Sequence, residues 1–108
     1  MEESKEVEEV SGSTFDEKIK EGVVVVDFYA EWCMPCVMMA PVIEEMQEKF
    51  EKIKFLKVNV DDNQVLSNKF KVMSIPTLII FKDGEELERI VGSYPQELLE
   101  EKLGKYAK

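Results

Sequence analysis

Three apolar runs stand out along an otherwise charged chain: Val23-Val24-Val25-Val26-Asp27-Phe28-Tyr29, Phe55-Leu56-Lys57-Val58-Asn59-Val60 and Thr77-Leu78-Ile79-Ile80-Phe81. The first and third are nearly continuous and rich in β-branched residues, the pattern of strands buried on both faces. The second alternates only in part and reads as an interior strand with one uncovered end. Between the first two runs, Met39, Ile43, Met46 and Phe50 step by four, three and four, which predicts a helix over about 34–50 with one apolar stripe. Pro41 lies inside it, removes one backbone donor and predicts a kink. Thr14-Phe15-Asp16-Glu17 has capping-box spacing, so a short helix is expected to about residue 20, ended by Gly22. Asp61-Asp62-Asn63 is a turn and helix-start signal, with a short helix to about Phe70. Asp83-Gly84 predicts a hairpin and an antiparallel strand over about 86–91. Leu99, Leu103 and Tyr106 mark a closing helix.

Residues 1–10 read as an acidic, poorly ordered lead-in with a short edge strand near 8–11. Residues 11–108 then form a single domain. The element order is βαβαβαββα, an α/β architecture with a mixed sheet of four to five strands and helices on both faces.

Composition narrows the function. At 108 residues and 44% hydrophobic, the chain supports one modest core. A formal net charge of -9 leaves little to neutralise phosphates, which argues against nucleic acid and anionic membranes as partners. No stretch approaches the roughly 20 apolar residues that span a bilayer. The start of the chain, Met1-Glu2-Glu3-Ser4-Lys5-Glu6, is acidic and lacks the apolar core of a signal peptide, so a cytoplasmic location is expected.

The two cysteines change the picture most. Both lie in Trp32-Cys33-Met34-Pro35-Cys36, where the first strand ends and the long helix begins. Unpaired N–H groups and the positive end of the helix dipole favour a thiolate there, and the thiolate is the reactive species. The three-residue separation brings the α-carbons within disulfide range. A zinc site needs four ligands, and a chain with no His and two Cys could supply it only by sharing between two copies. Dithiol–disulfide exchange is therefore the expected chemistry, with no cofactor and no metal. Cys33, at the mouth of the helix and the more exposed, is expected to attack. Cys36, one turn deeper, is expected to resolve the mixed disulfide.

Asp27 sits inside the most apolar strand, where a lone carboxylate is costly. Burial would raise its pKa and suit it to accept the Cys36 proton, through a water. The competing reading is a half-solvated carboxylate at a strand end. Lys57, on the neighbouring strand, either pairs with Asp27 or snorkels to solvent. Pro76, in Ser74-Ile75-Pro76-Thr77, either marks a strand start or forms a cis bond, and spacing alone does not decide. Trp32, Met34 and Ile75 either rim a substrate site or pack ordinarily.

The segment from Asp27 to Cys36, with Ala40-Pro41, the strand end Lys57 to Asp61, Ile75-Pro76-Thr77-Leu78 and Lys82-Asp83-Gly84-Glu85, resembles the thioredoxin family. The match runs from about Thr14 to Tyr106 in the family's order and spacing. Thioredoxins are themselves the standard example of thiol tuning in such a motif, so that account comes with the resemblance. The resemblance implies the thioredoxin fold, a general protein-disulfide reductase, and Asp27 as the proton shuttle. It implies a cis Pro76 against the disulfide and an Ile75 backbone that hydrogen-bonds an extended substrate. Gly92 would leave room for that substrate chain, and Trp32, Met34 and Pro35 would complete its site. The partners implied are a thioredoxin reductase, fed from NADPH through flavin or from ferredoxin, and disulfide-containing proteins, met by a monomer.

Two positions depart from the family. Met34 stands where most members have glycine, and Tyr29 where many have a second tryptophan. Met34 brings no positive charge to the thiolate, so a reductant is expected. The rivals are an isomerase- or oxidase-like protein, a glutaredoxin-like protein, and a redox-switched binding module. Trp32 and Asp27 follow the thioredoxin pattern rather than that of glutaredoxins.

Overall fold

The computed structural model describes residues 6–107. The β-branched run becomes β2 (Val23–Tyr29), and the other strands assemble on either side of it. The remaining elements are β1 (Glu8–Glu9), α1 (Phe15–Ile19), α2 (Met34–Lys49), β3 (Lys54–Asn59), α3 (Gln64–Lys69), β4 (Thr77–Lys82), β5 (Glu85–Val91) and α4 (Gln96–Gly104). They form one five-stranded sheet in the order β1-β3-β2-β4-β5. β1, β3 and β2 run parallel, and β4 and β5 are antiparallel to their neighbours. The mixed sheet matches the element order read from the residue pattern and the fold that the thioredoxin resemblance implied.

Strand alternation sends β2 to both cores. Val24, Val26 and Phe28 pack on one face with Phe15, Leu66 and Phe81, beneath α1 and α3. Val25 packs on the other with Met39, Ile43 and Leu99, beneath α2 and α4. On the first face Phe70 meets Phe15 at 5.3 Å and Phe81 edge-on at 5.5 Å between ring centroids. Such tilted pairs add about 0.5–1.5 kcal/mol each beyond their buried area.

The hairpin forms as Asp83-Gly84 requires, with φ of 50° and 90° at the two residues. Asp83 Oδ1 also accepts from the Gly22 amide at 2.9 Å, tying this turn to the start of β2. Leu87 is the extra residue of a bulge, since Ile80 pairs with Glu88 but Phe81 with Glu86. α4 is tied to β5 where Glu88 accepts from Lys102 and from the Tyr106 hydroxyl.

The edge strand expected near 8–11 forms as β1, paired with β3 and flanked by the buried Val7 and Val10. Residues 1–5 of the expected lead-in lie outside the described residues. The structure departs from the sequence reading at the start of α1. The capping box of α1 does not form. Thr14 makes no side-chain cap, its hydroxyl donating instead to the Ser11 carbonyl at 3.4 Å, and Glu17 pairs with Lys20 at 2.5 Å. Pro41 lies inside α2, which is continuous from Met34 to Lys49.

Candidate active site

The chain leaves β2 at Tyr29 and turns at once, the Cys33 amide donating to the Ala30 carbonyl at 3.2 Å. Cys33 then caps α2 with extended backbone, and its Sγ accepts from the Cys36 amide at 3.2 Å. Sulfur thus takes the place of the oxygen that usually caps a helix. Pro35 fits in the first turn because its missing donor would have no partner there. No acidic residue occupies that turn, so nothing in it opposes a negative sulfur beside the helix dipole. Cys33 and Cys36 are joined as a disulfide with α-carbons 5.2 Å apart. The Ile75–Pro76 bond is cis, and the Ile75 carbonyl oxygen lies 3.8 Å from Cys33 Sγ.

The expected exposure difference between the cysteines is absent. Both are buried, at 4% and 3%. What separates them is their place on the helix: Cys33 Sγ receives the amide of the first turn, whereas Cys36 supplies it. A capping sulfur is the one whose negative charge the turn would stabilise.

Asp27 lies well inside β2, paired in register with Lys57 and Leu78, which rules out the strand-end reading. It shares the face of Val25, which packs with Met39, so it faces the helix that carries Cys36. It is 6% exposed, and its Oδ1 is buried with no hydrogen-bond partner among the described residues. Burial pushes the carboxyl up to about 7, and the Lys57 ammonium offsets part of that rise. Lys57 forms no direct ion pair with Asp27 among the described residues. Its Nζ sits 5.5 Å from the centroid of the Tyr29 ring.

More apolar side chains are exposed than the sequence reading named. Trp32 and Met34 are exposed at 69% and 65%, Pro35 is exposed, Ile75 half-buried and Pro76 buried. Val37, Met38, Met73 and Val91 are exposed as well. From Trp32 to Pro41 every exposed side chain is uncharged, in a chain whose residues are 34% charged. That gap in charge was visible in the sequence. Asp61 was not singled out for the site, yet its Oδ2 accepts from Trp32 Nε1 at 2.8 Å and fixes the indole. Asn59 Oδ1 in turn accepts from the Asp61 and Asp62 amides at 2.9 and 3.3 Å. Only the fold brings these residues to Trp32.

Gly92 has φ of 86°, and its amide donates to the Pro76 carbonyl at 2.7 Å. A Cβ built there would meet no atom within 4 Å, so the φ alone restricts the position. Gly92→Ala is expected to lower stability by about 1 kcal/mol, read as a lower denaturant midpoint with unchanged slope.

Among the described residues no group of three or more acidic or cysteine side chains could hold a metal ion, and no helix is long and apolar enough to cross a membrane. The thioredoxin family model matches residues 6–105. A thioredoxin of Staphylococcus haemolyticus is 52% identical over 98 residues, 90% of this chain and 94% of that protein. One from Listeria monocytogenes is 50% identical over 101 residues, 93% of this chain and 98% of that protein. Among solved structures, a mutant thioredoxin from Halobacterium salinarum superposes with a TM-score of 0.88 at 34% identity, covering 100% of this chain and 96% of that one. A Plasmodium falciparum thioredoxin gives 0.87 at 35% identity, covering 93% and 99%.

Proposed function

Because the chain belongs to the thioredoxin family, and is a thiol–disulfide oxidoreductase of the disulfide-reducing kind, we propose the following roles for its residues. The Cys33 thiolate attacks one sulfur of a target disulfide, and the other target sulfur leaves as a thiolate and takes up a proton. Asp27 then accepts the Cys36 proton, and the Cys36 thiolate attacks Cys33 Sγ in the mixed disulfide. The second target sulfur departs, and two electrons have passed from Cys33 and Cys36 to the target. Trp32, Met34, Pro35, Ile75, Pro76 and Gly92 bind the extended target segment, with the Ile75 backbone pairing to it. Lys57 modulates Asp27.

The observation that carries this reading is the capping geometry. Cys33 Sγ accepts a first-turn amide of α2 while lying 3.8 Å from the Ile75 carbonyl. A sulfur so placed is stabilised as an anion and adjoins a loop carbonyl to which an extended target chain could pair.

A thioredoxin reductase returns the disulfide to the dithiol, and protein disulfides are the substrates. The setting is cytoplasmic and the protein a monomer; the redox-active disulfide takes the place of a cofactor, and neither nucleic acid nor membrane is a partner. The reduction potential of the couple, from equilibration with defined thiol–disulfide buffers, tests the direction of electron flow. A value near -270 mV, roughly the benchmark set by thioredoxins themselves, is expected. A value near about -180 mV would instead support an isomerase or oxidase, with Met34 as the residue to examine first.

A further inference from the structure

Glu9, Lys57 and Asp27 lie abreast on three adjacent strands. Glu9 pairs in register with Lys57, and Lys57 with Asp27. Residues opposite one another in a ladder project to the same face, so one cation stands between two carboxylates beneath α2. Glu9 is exposed at the sheet edge, Lys57 half-buried and Asp27 buried. Left to itself, a flexible lysine stem in this row would carry its ammonium outward, toward Glu9 and water.

Tyr29 acts on that choice. It follows Asp27 by two residues and so shares its face at the end of β2. Its hydroxyl donates to Glu9 Oε2 at 2.9 Å, across the intervening strand. Its ring lies under the Lys57 ammonium, 5.5 Å from centroid to Nζ, within cation–π range. Burial, reinforced by the Glu9 hydrogen bond, raises the phenol above its ordinary range, so it remains a donor wherever the protein works.

We propose that Tyr29, anchored by Glu9, is a positioning residue that keeps the Lys57 ammonium on its ring and beside the Asp27 carboxyl. The residues on the same face around Asp27 are Lys57 from β3, Glu9 beyond it on β1, Tyr29 on β2 itself, Leu78 from β4 and Met39 from α2. Lys57 is the one cation in that set. Tyr29 therefore controls the one charge among the described residues that favours the carboxylate. This inference rests on Asp27 as the base of the resolving step.

The test follows the Asp27 carboxyl by carbon NMR in the oxidised protein, where the disulfide keeps both sulfurs out of the titration. Lys57→Gln is expected to raise the Asp27 midpoint by about one pH unit, and Tyr29→Leu by about half a unit. Tyr29→Phe, which keeps the ring and loses the anchor, is expected to give a smaller rise. In a Lys57→Gln background neither tyrosine substitution should move the midpoint further. A purely structural role predicts the reverse, because loosened packing would admit water and lower the midpoint with or without Lys57. An unmoved or lowered midpoint in Tyr29→Leu, or an equal rise in the Lys57→Gln background, overturns the proposal. Should Tyr29→Leu not fold, Tyr29→Phe carries the test. A rise that Lys57→Gln abolishes supports the proposal, and an unmoved midpoint overturns it. The titration is indifferent to whether Asp27 serves as the resolving base, so the two readings fail separately.

Discussion

Cys33→Ser is expected to lower protein-disulfide reduction by at least about a thousandfold. A hydroxyl at the α2 cap would still accept the Cys36 amide, so fold and cap should survive. It cannot form a thiolate and cannot expel a sulfur from a target disulfide. Cys36→Ser should behave differently, although it too abolishes turnover. Its Cys33 thiolate still attacks, but nothing resolves the product, so a mixed disulfide with the target accumulates. The pair is measured by dithiol-driven reduction of a small disulfide-bonded protein, with mass spectrometry of the trapped species. Retention of full activity by Cys33→Ser, or adducts on Cys36 in place of Cys33, would sink the role assignment. The similar burial of the two cysteines makes this informative, since exposure does not predict which attacks.

The second large effect concerns Asp27 and has two separable parts. In the folded protein its carboxyl holds a proton up to about pH 7, whereas in the unfolded chain it releases one near its ordinary value of 3.8. Between those values the folded state binds more protons, so this group makes stability fall as pH rises, levelling off above about 7. The displacement corresponds to on the order of 4 kcal/mol. Asp27→Asn cannot titrate, so its stability relative to the parent should rise by about that amount between pH 4 and pH 8, with most of the change below 7. Denaturant unfolding at both pH values checks it, and a pH-independent difference would show that Asp27 is not buried as a proton-holding group. The second part is kinetic. The same substitution should slow release of the mixed disulfide and flatten its pH dependence between about 6 and 8. A variant more stable at pH 8 but unchanged in release would keep the burial and discard the shuttle.

Much of this was legible in the residues. The apolar runs marked β2 and β4 because strands buried on both faces are nearly continuous in hydrophobicity, and marked β3 by its partial alternation. Asp83-Gly84 specified a turn with two positive φ values, and the four-three-four spacing specified α2. Local signals were weaker where one side chain had several partners to choose from. Thr14 had capping-box spacing, yet the nearby Ser11 carbonyl and the Lys20 ammonium drew the hydroxyl and Glu17 away. Exposure of the cysteines was misjudged because depth along a helix does not fix depth below a surface. The turn from Ala30 to Cys33 and the Ile75 loop cover both sulfurs.

By itself the sequence determined the redox pair, the strand that carries Asp27 and the uncharged stretch after Trp32, since each is a property of contiguous residues. Only the tertiary structure decided that Ile75 stands against Cys33, that Asp61 fixes Trp32, and that Tyr29 lies between Glu9 and Lys57. Those contacts join residues 42, 29 and 20 positions apart in the chain for the Ile75, Asp61 and Glu9 pairs. Their distances are set by sheet order and register, which depend on how every strand pairs at once and which no local pattern encodes.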